Sequence, residues 1–344
     1  MKQTVLNLMQ ASGAFAPFRF ANRSKSLIVM YHRFTEDEDG RAISARAFRE
    51  QLDYLSAHYC LVPLSFIGGL LAAGKSLPPR LAAITIDDGY RDAYDIAFPL
   101  LRERNAPATL FVVTDFVDQK TWIWPDKLRY LTLHTKEAVL NRTKEGRQLC
   151  QRLNDRASRI EAIARINSIL KLMPDEAKDE MIDSIASSMG VELPAAPPHE
   201  YGPITWDQAR EMDAAGVEIG SHTRTHPILT NIDGDRLRRE LGDSRSRLES
   251  ALNRRVDLFC YPNGNSNSSV EREVRRAGYR CAVSTEEGLN DGRSNPLALK
   301  RIPTASHFAR FAHSTSGFEQ VKDRIIGVRA PAKAERPQEQ QAAL

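Results

Sequence analysis

The chain has 344 residues, and 48 Lys and Arg against 44 Asp and Glu leave a net charge of +4. Hydrophobic residues make up 42% and charged residues 27%, which excludes a wholly disordered chain and is ordinary for a globular one. The small basic excess predicts no nucleic-acid partner, and the lack of a run of 18 apolar residues predicts no transmembrane helix.

Residues 1–25 read as an amphipathic N-terminal arm. Lys2 is its only early positive charge, and Asn7 and Gln10 break its apolar stretch, which makes a poor secretory signal. The expectation is a cytoplasmic protein with the arm packed on the domain. Export through this weak signal and contact with a membrane surface are the alternatives. Cys60, Cys150, Cys260 and Cys281 form no C-x-x-C pair, so they read as reduced thiols.

Residues 26–31 are a short strand, followed by a solvated acidic turn at residues 36–40. Ser44 is placed to cap a helix carrying Phe48, Leu52 and Leu55 at helical spacing. Residues 81–86 form a buried strand, 92–104 a helix and 109–113 a strand, together a βαβ unit with a right-handed crossover. Residues 122–198 have few strand signals and read as a helical insertion, with Trp122 and Trp124 as core residues or a substrate platform. Alternation resumes with helices at 206–215, 235–252 and 269–277. The strands between and after them fall at 217–220, 256–261, 279–284 and 297–302. This is an α/β chain, either a barrel or a doubly wound sheet. Residues 328–344 read as a disordered tail.

The chemistry-bearing residues follow the predicted strands, where α/β folds collect functional groups. Asp87 and Asp88 are adjacent carboxylates that are costly to bury without a metal, a proton or hydrogen bonds, and Gly89 permits a sharp turn after them. They also read as an N-terminal acidic pair on the next helix. His222 and His226 have the spacing of metal ligands, and on a helical turn both rings would share one face. One Asp with two His makes an open facial set suited to Zn²⁺, and also to Fe²⁺, Co²⁺ or Ni²⁺. Tyr261, Pro262 and Asn263 form a turn that reads as a bare turn or as a source of backbone N–H groups for an oxyanion. His32 closes the first strand.

Asp87-Asp88-Gly89 in T-I-D-D-G, H-T-R-T-H at residues 222–226, and the fragments GYRDAY, PATLFV and GVEIGSHTRTHP together resemble the NodB-homology polysaccharide deacetylases, carbohydrate esterase family four. Tyr31-His32, with no histidine on the last strand, is similar to the permuted poly-N-acetylglucosamine deacetylase branch. The resemblance covers residues 26–304 apart from the insertion. It implies a deformed (β/α)7 barrel built from residues 26–121 and 199–310, with 122–198 inserted.

The resemblance also implies one divalent metal, Zn²⁺ first, on Asp88, His222 and His226, with Asp87 as general base and His32 as general acid. The activity it implies is metal-dependent removal of N-acetyl groups from an N-acetylated sugar. Tyr261, Pro262, Asn263 and Arg301 are candidates for the oxyanion and substrate. One departure is Cys260, which stands where the family carries the arginine that orients the base; Arg301 is the candidate to replace it. The alternatives are an amidohydrolase acting on a small or lipid-linked N-acyl or N-formyl compound, and a carbohydrate-binding barrel without turnover.

Overall fold

The computed structural model describes residues 3–37, 42–144 and 147–326. Strands that are apolar on both faces need burial on both faces, and a closed parallel sheet covered by helices provides it. β1 (Leu27–Tyr31), β2 (Leu81–Ile86) and β3 (Ala108–Val112) are buried along their whole length. β4 (Val217–Ser221), β5 (Leu258–Cys260), β6 (Cys281–Glu287) and β7 (Leu299–Pro303) follow. Each strand pairs in parallel with the next, and β7 and β2 both pair with β1, which closes a seven-stranded ring. This is the expected (β/α)7 barrel.

Strand alternation sorts the side chains. Leu81 and Ala83 of β2, Phe111, Leu258, Cys260, Val283 and Leu299 pack together with Ile28 as one core, joined by Leu64, Ile67 and Leu71 of the helix Leu64–Ala72. The alternate positions, such as Val29, Ile84 and Leu110, join the larger core shared with the surrounding helices. By the same alternation Thr85 and Asp87 continue the face of Ala83, and Arg301 continues that of Leu299.

Ser44 caps the helix Ala45–His58 as expected, its side chain accepting from the Ala47 N–H. Residues 92–104 do not form one regular helix. A π-helical turn, Ala93–Ala97, precedes the α-helix Phe98–Glu103, because Pro99 has no N–H to complete the regular ladder. The insertion also differs from expectation. Besides the helices Trp124–His134, Arg156–Leu170 and Asp175–Met189 it holds an antiparallel hairpin, Val139–Lys144 with Arg147–Arg152. Charged and amide residues along both strands hide any alternation. Trp122 and Trp124 are 4% and 5% exposed, and Trp124 joins Leu128, Leu131, Ile166 and Ile185 in a core separate from the barrel's. The pair is packing, not a substrate platform.

The arm forms the helices Gln3–Ala11 and Ala16–Ala21, with Leu6 and Phe15 buried. It packs on two helices not anticipated from sequence, Phe308–Thr315 and Phe318–Ile326, through Phe18 against Phe318 and the Asn22 amide donating to the Gly317 carbonyl. Residues 328–344 and most of the acidic turn lie outside the described residues. No helix among the described residues is long and apolar enough to cross a membrane.

Because the insertion has its own core, Ile166→Ala should cost about 2–5 kcal/mol locally. Hydrogen exchange should lose protection in the insertion helices while the barrel strands keep theirs.

Candidate metal and catalytic site

The in-and-out alternation of β2 and β7 brings Asp87 and Arg301 face to face at the carboxyl end of the barrel. The Arg301 guanidinium is fully buried and grips the Asp87 carboxylate with two parallel hydrogen bonds, Nη1 to Oδ1 and Nη2 to Oδ2, both 2.7 Å. Its remaining donors are also used. Nη1 donates to Thr85 Oγ1, Nε to the Ser284 carbonyl, and Nη2 lies 3.2 Å from Cys260 Sγ. At Cys260, where the resemblance implies an arginine, the small thiol leaves room for a guanidinium arriving from β7. Arg301 therefore has no face left for substrate. Its place in the site is on Asp87, and the expectation that it touches substrate or oxyanion is corrected.

Burial alone would raise the Asp87 pKa, but the Arg301 charge and hydrogen bonds outweigh it and hold the group below the usual carboxylate range. His32 leaves β1 beside this pair, with Nε2 3.7 Å from Asp87 Oδ2.

Asp88 follows in a sharp turn. Its φ is 76° and that of Gly89 is 84°, and a side chain at Gly89 would lie 2.9 Å from Val112 Cγ1. The turn aims Asp88 Oδ1 at both histidines, 3.3 Å from His222 Nε2 and 3.4 Å from His226 Nε2. The two histidines do not share a helical turn. Residues 222–226 form a bend with Thr223 at φ 71° and His226 at φ 64°, and this bend, rather than helical periodicity, brings the rings together. Glu240, buried on the helix Gly234–Leu252, holds the bend by accepting from the Arg224 and Thr225 backbone N–H groups and from the Thr225 hydroxyl.

The donor atoms of Asp88, His222 and His226 lie within 4.8 Å of one another. Ligands about 2.1 Å from a tetrahedral Zn²⁺ sit about 3.4 Å apart, so the observed separations fit a shared cation. His222 Nδ1 lies 2.8 Å from the Cys260 carbonyl, which fixes the proton on Nδ1 and leaves Nε2 free to ligate. Burial, then the neighbouring His222, pushes His226 down to about 3, so its ring stays neutral as a metal ligand must. Asp87, His222 and Cys260 are a second group of nearby donors, but Arg301 occupies Asp87 there.

The third predicted constellation divides. Tyr261 is buried in the core and its hydroxyl donates to the Leu297 carbonyl, so its side chain is not part of the cluster. Pro262 and Asn263 form a short turn with Asn263 at φ 56°. Sequence reading missed Glu240, which sits among arginines on a helix that otherwise looks like a solvated face. It also passed over Tyr90 and Asp126, whose hydrogen bond appears only when the insertion folds back on the barrel.

The polysaccharide deacetylase profile matches residues 74–282, more than half of the chain. YxkH of Bacillus subtilis (strain 168), named for the same family, is 27% identical over 81% of this chain and 71% of its own length. The poly-beta-1,6-N-acetyl-D-glucosamine N-deacetylase of Escherichia coli (strain K12) is 24% identical over 80% of this chain, which spans only 35% of that longer protein. The fold matches the Streptococcus pyogenes deacetylase PplD, solved in complex with acetate, with a TM-score of 0.56 at 18% identity, covering 85% of this chain and 98% of that one. It matches IcaB from Ammonifex degensii with the same TM-score at 20% identity, covering 86% and 97%. With its profile match and its ordered motifs, the chain belongs to the polysaccharide deacetylase family.

Proposed function

We propose that this protein removes N-acetyl groups from an N-acetylated sugar polymer of the poly-N-acetylglucosamine type. The observation that carries the reading is the pairing of an Arg301-clamped Asp87 with three convergent donors, on the adjacent Asp88 and on His222 and His226. The family is metal-dependent, and those three side chains would hold a divalent ion, Zn²⁺ before Co²⁺, Ni²⁺ or Fe²⁺. When bound, such an ion supplies positive charge that polarises the acetyl carbonyl and acidifies water.

The chain's own residues do the proton work. Asp87 stays ionised because Arg301 stabilises its charge, and it takes the proton from the attacking water. Arg301 also fixes which carboxylate edge faces the reaction. His32, beside Asp87 and more exposed than it, gives a proton to the departing sugar amine. The turn at Pro262 and Asn263 offers an N–H to the oxyanion through Asn263, since proline has none. Arg301 gives Asp87 a guanidinium although Cys260 supplies none, which disfavours a binding barrel without turnover.

The direct test is acetate release from N-acetylglucosamine oligomers with and without chelator. Chelator-sensitive release is expected, and binding without release overturns the assignment. Asp88→Ala, His222→Ala and His226→Ala should each lose Zn²⁺ in calorimetric titration together with activity. Asp87→Asn should keep Zn²⁺ and lose about 10²–10⁴ in kcat, whereas His32→Ala should lower kcat more than it changes KM. A wild-type kcat in either of these last two reassigns the base or the acid.

The sign of the Arg301 effect is also fixed. Without the guanidinium, burial pushes Asp87 upward, so a larger fraction is protonated at mildly acidic pH. Arg301→Gln should therefore shift the acid limb of the kcat/KM profile to higher pH, and an unmoved limb would show that Arg301 does not tune the base.

A further inference from the structure

Tyr90 is two residues after Asp88, and three groups hold it. Its hydroxyl donates to Asp126 Oδ2 at 2.5 Å, the Arg33 guanidinium lies 4.0 Å from its ring centroid, and Phe116 meets the ring edge-on at 5.4 Å. The adjacent backbone is tied as well, with the Arg91 N–H donating to the Gly202 carbonyl and the Ile204 N–H to the Gly89 carbonyl. Asp126 belongs to the first turn of the insertion helix Trp124–His134. The insertion thus reaches the strained Asp88–Gly89 turn through the Asp126–Tyr90 hydrogen bond, beside an apolar contact in which Ile123 packs with Tyr90, Val113 and Phe116. Arg33, stacked on the same ring and bonded to Asp92 Oδ2 at 2.5 Å, follows His32 directly in the chain.

We propose that Asp126 and Tyr90 are positioning residues for the metal site, a latch by which the insertion holds the turn that presents Asp88. Three observations point to a role beyond packing. The Asp126 carboxyl is almost fully buried, and burial pushes it up to about 6, so a costly acid is kept at this seam. Asp88 and Gly89 both have left-handed backbone, which persists only where surrounding contacts enforce it. Tyr90 is the first side chain beyond that turn, and its hydroxyl contact comes from the insertion rather than from the barrel. Partners bonded directly to a ligand are typically worth about 10–100-fold in affinity, and a latch that acts through the intervening backbone belongs at the low end of that range.

The inference rests on Asp88 being a metal ligand, and its test separates the two. Zn²⁺ is titrated calorimetrically into the metal-free forms of the full-length wild type, Tyr90→Phe, Asp126→Ala, Asp126→Asn, the double variant Tyr90→Phe/Asp126→Ala, and Asp88→Ala. Tyr90→Phe removes a single oxygen and keeps the ring, so it preserves the fold even where Asp126→Ala does not. Tyr90→Phe and Asp126→Ala should each weaken Zn²⁺ by about 10-fold, with kcat falling and KM held. The double variant should be no worse than either single, because both break one bond. Asp126→Asn keeps an acceptor oxygen for the tyrosine and should recover most of the affinity. Wild-type Zn²⁺ affinity in Tyr90→Phe, with Asp88→Ala losing it, overturns the latch alone, and so do additive losses in the double variant. Wild-type affinity in Asp88→Ala overturns the metal-site reading and the latch with it.

Discussion

The pairing of Arg301 with Asp87 is the constraint around which the barrel interior is arranged. A buried guanidinium or carboxylate is tolerated only when its partner is in place and its other hydrogen bonds are filled. The four partners of Arg301 come from three strands: Thr85 on β2 with Asp87 just after it, Ser284 on β6 and Cys260 on β5. Only a closed sheet brings those strand ends around one side chain. Cys260 belongs to the same solution. A second arginine there would place like charges together in a dry interior, whereas a thiol fills the space without charge. Where the resemblance implies an arginine at the position of Cys260, the guanidinium on Asp87 here comes from β7 instead.

The segments that carry the candidate metal donors are held in backbone that ordinary residues avoid. Asp88, Thr223 and His226 all have positive φ. Each such residue costs of order 1–3 kcal/mol unless neighbours enforce the conformation. Here the enforcement is specific. Val112 packs over Gly89, leaving no space for a side chain, and the Thr223 hydroxyl accepts from the His226 N–H while Glu240 holds the residues between the two histidines. The candidate donors converge because separate bends are each fixed from outside.

Much of this was legible in the sequence. The barrel strands are apolar runs whose length and spacing announce a parallel α/β fold, and T-I-D-D-G and H-T-R-T-H mark their exits. Arg301, on the last strand, was named as the candidate for the arginine missing at Cys260, and it is the residue found on Asp87. The bend at residues 222–226 was misread as a helical turn because a spacing of four carries no record of the backbone that realises it. The insertion hairpin was hidden by polar residues, since period-two signals vanish when both faces are hydrophilic. Glu240 was hidden for a different reason. Its neighbours are charged, and only its tertiary partners, two backbone N–H groups and a hydroxyl, distinguish it from a surface residue.

The insertion has an apolar core of its own, but its seam with the barrel relies heavily on directional bonds. The Asn231 amide donates to the Lys171 and Met173 carbonyls, Arg236 pairs with Asp175 and Glu176, and Tyr90 reaches Asp126. Apolar contact is tolerant of sliding, whereas hydrogen bonds and ion pairs fix register, because a misplaced partner leaves buried polar groups unsatisfied. A seam of this kind sets the orientation of the insertion more sharply than burial alone would. The side chains that anchor it on the barrel, Tyr90, Asn231 and Arg236, lie close in the chain to the two segments that carry the candidate metal donors. A change in how the insertion sits would thus be felt first at Asp88 and at the histidine bend, which makes the insertion a structural determinant of the site.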